Sequence, residues 1–221
     1  MLARRLVAEG LGSAFLVAGV IGSGIMAERL SPDDVGLQLF ENAAATAGVL
    51  YIIILMFAPI SGAHFNPAVT MVDCLIGGRP WRDFGPYVVA QVIGGCFGAI
   101  VANLMFDLAA IDWSTKERSG ADLWLAEAVA TFGLVLVIFA LVRTGRAQLA
   151  AGAVAAYIGA AYFFTSSTSF ANPMVSVART LSDTFAGIKP SSAPMFIVMQ
   201  VIGAVLAAGA AVWLFTDPPE S

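Results

Sequence analysis

Charge is what this chain has least of. Asp, Glu, Lys and Arg together make up 12% of its 221 residues, where a soluble domain carries about 25%. That deficit excludes a molecule solvated by water over its whole surface. The formal net charge of −4 excludes a surface built for nucleic acid. Cysteine is almost missing, with only Cys74 and Cys96. Two such residues make no disulfide framework, and their spacing is not that of a metal site. One histidine, no phosphate loop and no nucleophile–base constellation leave nothing on which to build an enzyme, and no cofactor is implied.

What fills the gap is apolar sequence, 59% of the chain, in long runs with the charges bunched between them. That layout belongs to a chain whose solvent is lipid. Runs of roughly 20 apolar residues predict six spans, at about Leu6–Ala27, Ala43–Ala58, Tyr87–Phe106, Leu123–Val142, Leu149–Phe164 and Met195–Phe215. Two shorter apolar stretches, Pro67–Ile76 and Pro173–Phe185, are too short to cross and belong to the connections. The N-terminal run begins like a signal peptide but continues past the usual cleavage distance, so it reads as a retained signal-anchor helix. Six spans put both termini on one side. Arg4, Arg5, Arg79, Arg82, Arg143 and Arg146 share that side. Basic residues in short loops mark the cytoplasm, which predicts a multi-pass inner (plasma) membrane protein with cytoplasmic termini.

The chain also repeats itself. Ala8-Glu9 with Ala14-Phe15 is echoed by Ala126-Glu127 with Thr131-Phe132. Asn66-Pro67 is echoed by Asn172-Pro173, and Gln91-Val92-Ile93-Gly94 by Gln200-Val201-Ile202-Gly203. The echoes keep their order in halves of approximately 1–112 and 121–217 of a single domain, 1–221. Three spans per half force opposite topologies, hence an inverted repeat whose permeation site lies near the midplane.

The two Asn-Pro steps carry the functional reading. Asn is a strong N-cap, and Pro suits the first helical turn because it lacks an N–H. Asn66-Pro67-Ala68 and Asn172-Pro173-Met174 each predict a short helix that dips towards the midplane. Irregular backbone at that depth is tolerated only where it is buried in protein or lines a cavity. The approach segments then offer carbonyls, and the asparagines donors, to a file of solutes. The facing helix N-termini repel cations and protons.

At these residues the chain resembles the aquaporin (major intrinsic protein) family over essentially its whole length, through SGAHFNPAVT, the second Asn-Pro and the two Ala-Glu spans. The resemblance implies an all-α membrane fold of six helices and two re-entrant half-helices, lipid and small-molecule solutes as partners, and a homotetramer with one pore per protomer. It makes Asn66 and Asn172 the central pore asparagines. Glu9 and Glu127 become buried supports that accept backbone N–H groups of the pore loops. Read on physics alone, an intramembrane Glu is a proton or ion site by default.

The sequence departs from the family where selectivity is set. Val175 stands where water channels carry an arginine, and Met174 replaces an alanine. Counting along the family pattern puts the other filter positions on Thr46, Ala160 (or Gly159) and Ser169, a wide and weakly polar ring. His64 reads as a packed, hydrogen-bonded residue. Arg179, four residues beyond Val175 on the same predicted helix, either places a charge in the outer vestibule or pairs with Asp183. The segment from the second Asn-Pro onward, NPMVSVARTLSDTFAGI, is similar to an aquaporin branch of bacterial arsenic-resistance operons. That implies water, glycerol-like polyols, arsenous acid and methylated arsenicals as solutes. An ion- or proton-coupled secondary transporter would show the same repeat, with Glu9 or Glu127 as its coupling site. A structural membrane protein with a plugged pore is the third class, and the small filter residues speak against it.

Overall fold

The computed structural model describes residues 2–215. Among these, every regular element is helical. Six helical spans are long and apolar enough to cross a membrane: α1 Leu2–Leu30, α2 Val35–Ser61, α4 Phe84–Met105 with the turn Trp81–Asp83 before it, α5 Ala121–Arg143, α6 Ala150–Phe164 with the turn Ala147–Leu149 before it, and α8 Ala193–Leu214. Two do not cross, α3 Pro67–Leu75 and α7 Pro173–Ala178. The protein is an integral membrane protein with multiple spans. Its outer faces agree with that solvent: Val89, Ile93 and Phe97 on α4 and Trp213 on α8 are all more than half exposed, a patch that water would not tolerate and lipid does. Residues 216 and 217 of the second half lie outside the described residues.

The second span starts eight residues earlier than its apolar run predicts, because polar side chains find partners there. The Asp34 carboxylate caps the helix by accepting from Leu37 N at 2.9 Å. Gln38 Nε2 donates to Ser31 O at 2.7 Å and Asn42 Nδ2 to Val20 O at 2.8 Å. A satisfied polar group can be buried in a helix that a hydropathy window ends. In the other direction, the stretch predicted from Pro173 to Phe185 holds only six helical residues and a 3₁₀ turn, Arg179–Leu181. The turn does not continue as helix, because its last carbonyls are taken from outside. Thr180 O accepts from Ser114 N at 2.9 Å, and Leu181 O from Asp112 N at 3.1 Å and Asn103 Nδ2 at 2.9 Å.

Packing follows the sequence echoes. α1 lies on α2 and α4 as α5 lies on α6 and α8, while each half-helix touches both α4 and α8. Small residues let the paired helices approach. A Cβ built at Gly94 would overlap the carbonyl of Gly10, and one at Gly203 that of Ala128. Without a hydrophobic drive between helices in lipid, close backbone approach of this kind supplies the packing energy. The six basic residues that mark one side gather at one end of the bundle. There Arg5 lies 3.9 Å from Asp83, Arg79 Nε donates to Asp73 at 3.2 Å, and Arg143 Nε reaches Phe215 O at 2.6 Å. This is called the basic end below, and its opposite the far end.

Candidate functional site: a cavity between two half-helices

The half-helices begin as the Asn-Pro steps require. Asn66 Oδ1 accepts from Ala68 N at 2.9 Å, and Asn172 Oδ1 from Met174 N at 3.0 Å. Each side-chain amide then crosses to the other half. Asn66 Nδ2 donates to Ala171 O and Asn172 Nδ2 to Phe65 O, both at 2.8 Å. These reciprocal bonds hold the two N-termini against each other. An amide nitrogen carries two hydrogens, so each asparagine keeps one N–H unspent. Both residues line a cavity of about 340 Å³.

The approach segments are bent into an unusual shape. Ala63 and Phe65 have φ of 53° and 48°, and Ser169 and Ala171 have 53° and 48°. Left-handed backbone at residues with a Cβ stores strain that surrounding structure must hold. Two carboxylates hold it. Glu9 accepts from Ser61 Oγ at 2.6 Å, His64 N at 3.0 Å, Phe65 N at 2.7 Å and Gln91 Nε2 at 2.8 Å. Glu127 accepts from Ser167 Oγ at 2.6 Å, Phe170 N and Ala171 N at 2.9 Å, and Gln200 Nε2 at 2.6 Å. Both glutamates are fully buried, and neither lines the cavity. With the N–H groups turned back to a glutamate, the carbonyls of Ala63, His64, Ser169 and Phe170 have no protein donor among the described residues.

The cavity is therefore polar along one strip and apolar elsewhere. Its walls are helical stripes at i, i+4 spacing: Leu50, Ile54 and Ala58 from α2, and Val154, Ile158 and Tyr162 from α6. At the basic end it reaches Asp73, Arg79 and His64. His64 bonds Thr70 Oγ1 through Nδ1 at 3.1 Å and lies 3.4 Å from Asp73 through Nε2. Towards the far end it is lined by Thr46, Ser169, Val175 and Arg179.

Of the expected filter positions, Ala160 is not at the cavity. It is exposed on the opposite face of α6, and Tyr162 takes that wall, its hydroxyl 3.1 Å from Thr46 Oγ1. Gly159 does not line the cavity either. Counting along the family pattern does not fix the rotational phase of α6, which turns Ala160 outward and Tyr162 to the cavity. The helical stripe from Val154 would have found Tyr162, since positions i, i+4 and i+8 share a face. Met174 is fully buried against Gly95 and does not line the cavity. Arg179 sits in the 3₁₀ turn, not on the half-helix. It is 2% exposed and stacks 3.5 Å over the Phe170 ring. Its Nε donates to Ala186 O, and no ion pair joins it to Asp183 among the described residues. Asp183 instead accepts from Thr115 N at 2.9 Å, which holds its carboxyl below the usual range.

Comparison with known proteins agrees with this geometry. The profile of the family described as "Major intrinsic protein" matches residues 1–170. The chain belongs to the major intrinsic protein family. It is 49% identical over 213 residues to "Aquaglyceroporin AqpS" of Rhizobium meliloti (strain 1021), covering 96% of this chain and 91% of that protein. It is 31% identical to "Aquaporin NIP1-1" of Oryza sativa subsp. japonica, covering 98% and 76%. Among solved structures it is similar in fold to the aquaglyceroporin from Plasmodium falciparum, with a TM-score of 0.75 at 20% identity over 95% of each chain. In this major intrinsic protein Tyr162 and Val175 line the far end of the cavity together with Arg179, which belongs to the 3₁₀ turn after α7.

Proposed function

We propose that the chain is a passive channel for small uncharged solutes: water, glycerol-like polyols, arsenous acid and methylated arsenicals. One observation carries the reading. Two asparagines meet at the middle of a cavity that runs between the basic and far ends, each with an N–H to spare. Beside them lie the free carbonyls of the approach segments. A solute hydroxyl finds both a donor and acceptors there, while the apolar walls offer an ion nothing in place of its water. Displacing hydration without replacing it is what stops ions. The half-helix N-termini add a positive field that opposes cations.

The solute size rests on the far-end ring. Tyr162 makes it narrower on the α6 side than a ring with Ala160, but Val175 leaves the α7 side small, and the charge at this end comes from Arg179 in the turn after α7. Such an opening suits a neutral molecule larger than water. Arsenous acid is uncharged at neutral pH, and the similarity of the NPM segment to the arsenic-operon branch supports arsenicals as solutes. The similarity to an aquaglyceroporin supports the polyols. The family resemblance supports a homotetramer in the plasma membrane, and the grouping of basic residues at one end supports placing that end and both termini in the cytoplasm.

Swelling of proteoliposomes in water, glycerol, urea and arsenous acid tests the reading. Glycerol and arsenous acid should enter much faster than into empty vesicles. Val175→Arg should suppress both while sparing water. A wild type that passes water and excludes the larger pair defeats the proposed size class. Uptake that follows a proton gradient would favour the coupled transporter, whose candidate groups from the sequence, Glu9 and Glu127, are spent on holding the loops.

A further inference from the structure

A cluster of cations gathers at the far end, around the Arg179 that lines the cavity wall. Three consecutive backbone carbonyls each take a different basic side chain. Phe185 O accepts from Lys116 Nζ at 2.8 Å, Ala186 O from Arg179 Nε, and Gly187 O from Arg118 Nε at 2.9 Å. Arg118 also reaches Phe185 O at 3.4 Å, so its guanidinium and the Lys116 ammonium share one acceptor. The two arginines share an aromatic ring as well, at 3.5 and 5.1 Å from the centre of Phe170.

No carboxylate pairs with any of the three among the described residues. The nearby acids are committed elsewhere. Asp183 accepts from Thr115 N and from the hydroxyls of Ser114 and Thr115. Glu28 accepts from Phe185 N at 3.0 Å. Glu127 lies behind Phe170 and holds its N–H. Partial burial, then the Arg118 and Arg179 charges, bring the Lys116 ammonium down to about 8, as crowded cations require.

Neutral carbonyls align these side chains but do not neutralise them. Arg179 spends one of its five N–H groups on Ala186 and is nearly buried, so its remaining donors face the cavity that it lines. Arg118 Nη1 has no protein partner among the described residues. Planar guanidinium forks bind oxygen pairs of carboxylates and phosphates in a bidentate way, and Lys adds a point charge. We infer that Lys116, Arg118 and Arg179 form a binding site for a small oxyanion at the far-end mouth of the pore. The ligand is the anion of an oxyacid, with two oxygens for Arg179 and Arg118 and its charge shared with Lys116. Lipid headgroups carry the same chemistry, but Arg179 lies within the cavity wall, which a soluble ion reaches and a headgroup does not. An anion held there would narrow the entrance for neutral solutes. The inference rests on the channel reading only for that last consequence.

The test has two arms and uses the full chain. In the first, detergent-purified protein free of phospholipid is unfolded thermally in inorganic phosphate and in chloride at equal ionic strength. A ligand that binds only the folded state raises the midpoint with concentration and saturates. Phosphate should do so, and Lys116→Gln with Arg118→Gln should weaken its apparent affinity at least about tenfold, as loss of two charge-assisted contacts requires. If the double variant does not fold, Lys116→Gln alone, at an exposed residue, should show a smaller loss of the same sign. Equal midpoints in phosphate and chloride overturn the site, as does an undiminished response in the variants. Stabilisation by phosphatidylglycerol that phosphate cannot displace overturns the soluble ligand. In the second arm, glycerol swelling of reconstituted vesicles is measured with and without phosphate, and each protein is compared with its own phosphate-free rate. Wild-type flux should fall saturably, by about half or more, and the variants less. Absence of glycerol flux without phosphate would count against the channel reading, while the binding arm still decides the site.

Discussion

Glu127 offers the sharpest test of how the pore loops are held. Its two oxygens accept four hydrogen bonds, two from backbone N–H groups and two from side chains. Glu127→Ala removes all four acceptors. Ser167 and Gln200 can turn towards other partners, since Gln200 already donates to Ser176 Oγ at 2.9 Å. The N–H groups of Phe170 and Ala171 cannot turn, because the backbone there is fixed in the left-handed conformation that aims it. Each unpaired buried donor costs about 1–3 kcal/mol, so the loss should be roughly 2–6 kcal/mol, a large share of a typical stability of about 5–15 kcal/mol. Glu127→Gln keeps one oxygen, enough for Phe170 N and Ser167. Its amide N–H₂ then faces Gln200, whose own oxygen has no partner and can accept after an amide flip. Ala171 N is orphaned, for a loss of about 1–3 kcal/mol, and the flip gives up the Gln200 bond to Ser176 Oγ, while the bonds from Phe170 N and Ser167 survive. Unfolding of detergent-purified protein should therefore rank wild type, Gln and Ala in that order. The pair Glu9→Gln and Glu9→Ala should repeat the order in the first half, and glycerol swelling should fall with the same ranking. A Gln variant as unstable as Ala would refute this accounting. A stable Gln variant without flux, alongside wild-type uptake driven by a proton gradient, would show that the carboxylate carries protons.

Other expectations concern the centre, the far-end ring and the helix crossings. Asn66→Asp and Asn172→Asp replace a donor with an acceptor facing a carbonyl, so each should cut glycerol flux or admit cations, read by swelling and by vesicle proton leak. Well-folded variants with unchanged flux and tightness would remove the asparagines from the pore role. Tyr162→Phe should lose the bond to Thr46, about 1 kcal/mol, with flux changed only severalfold. Tyr162→Ala should speed the entry of polyols larger than glycerol, whereas Ala160→Tyr, on the opposite face, should leave swelling rates alone. Gly203→Ala should push α5 and α8 apart and cost about 1–3 kcal/mol or more in unfolding, because the new methyl meets the Ala128 carbonyl.

Sequence alone determined the lipid solvent, the six spans, the paired echoes and the central asparagines, and the physics behind each is local or repeated. A span needs only length and apolarity. An Asn-Pro step caps a helix wherever it stands. The matched spacing of Glu9, Asn66 and Gln91 with Glu127, Asn172 and Gln200 signals one site built twice. Other features arise between segments distant in the chain, and only the tertiary structure decided them. Left-handed backbone at Ala63, Phe65, Ser169 and Ala171 has no signature in residues that carry a Cβ, since the strain is held by glutamates on other helices. Tyr162 rather than Ala160 reaches the cavity because the rotational phase of α6 sets which face turns inward. Arg179 leaves Asp183 for Phe170 and Ala186 because the carbonyls of Thr180 and Leu181 are claimed by the segment near Ser114, which keeps the turn after α7 from continuing as helix and directs the guanidinium into the mouth. Hydrogen bonds between distant segments chose the partner there, and an i, i+4 spacing contains no record of them.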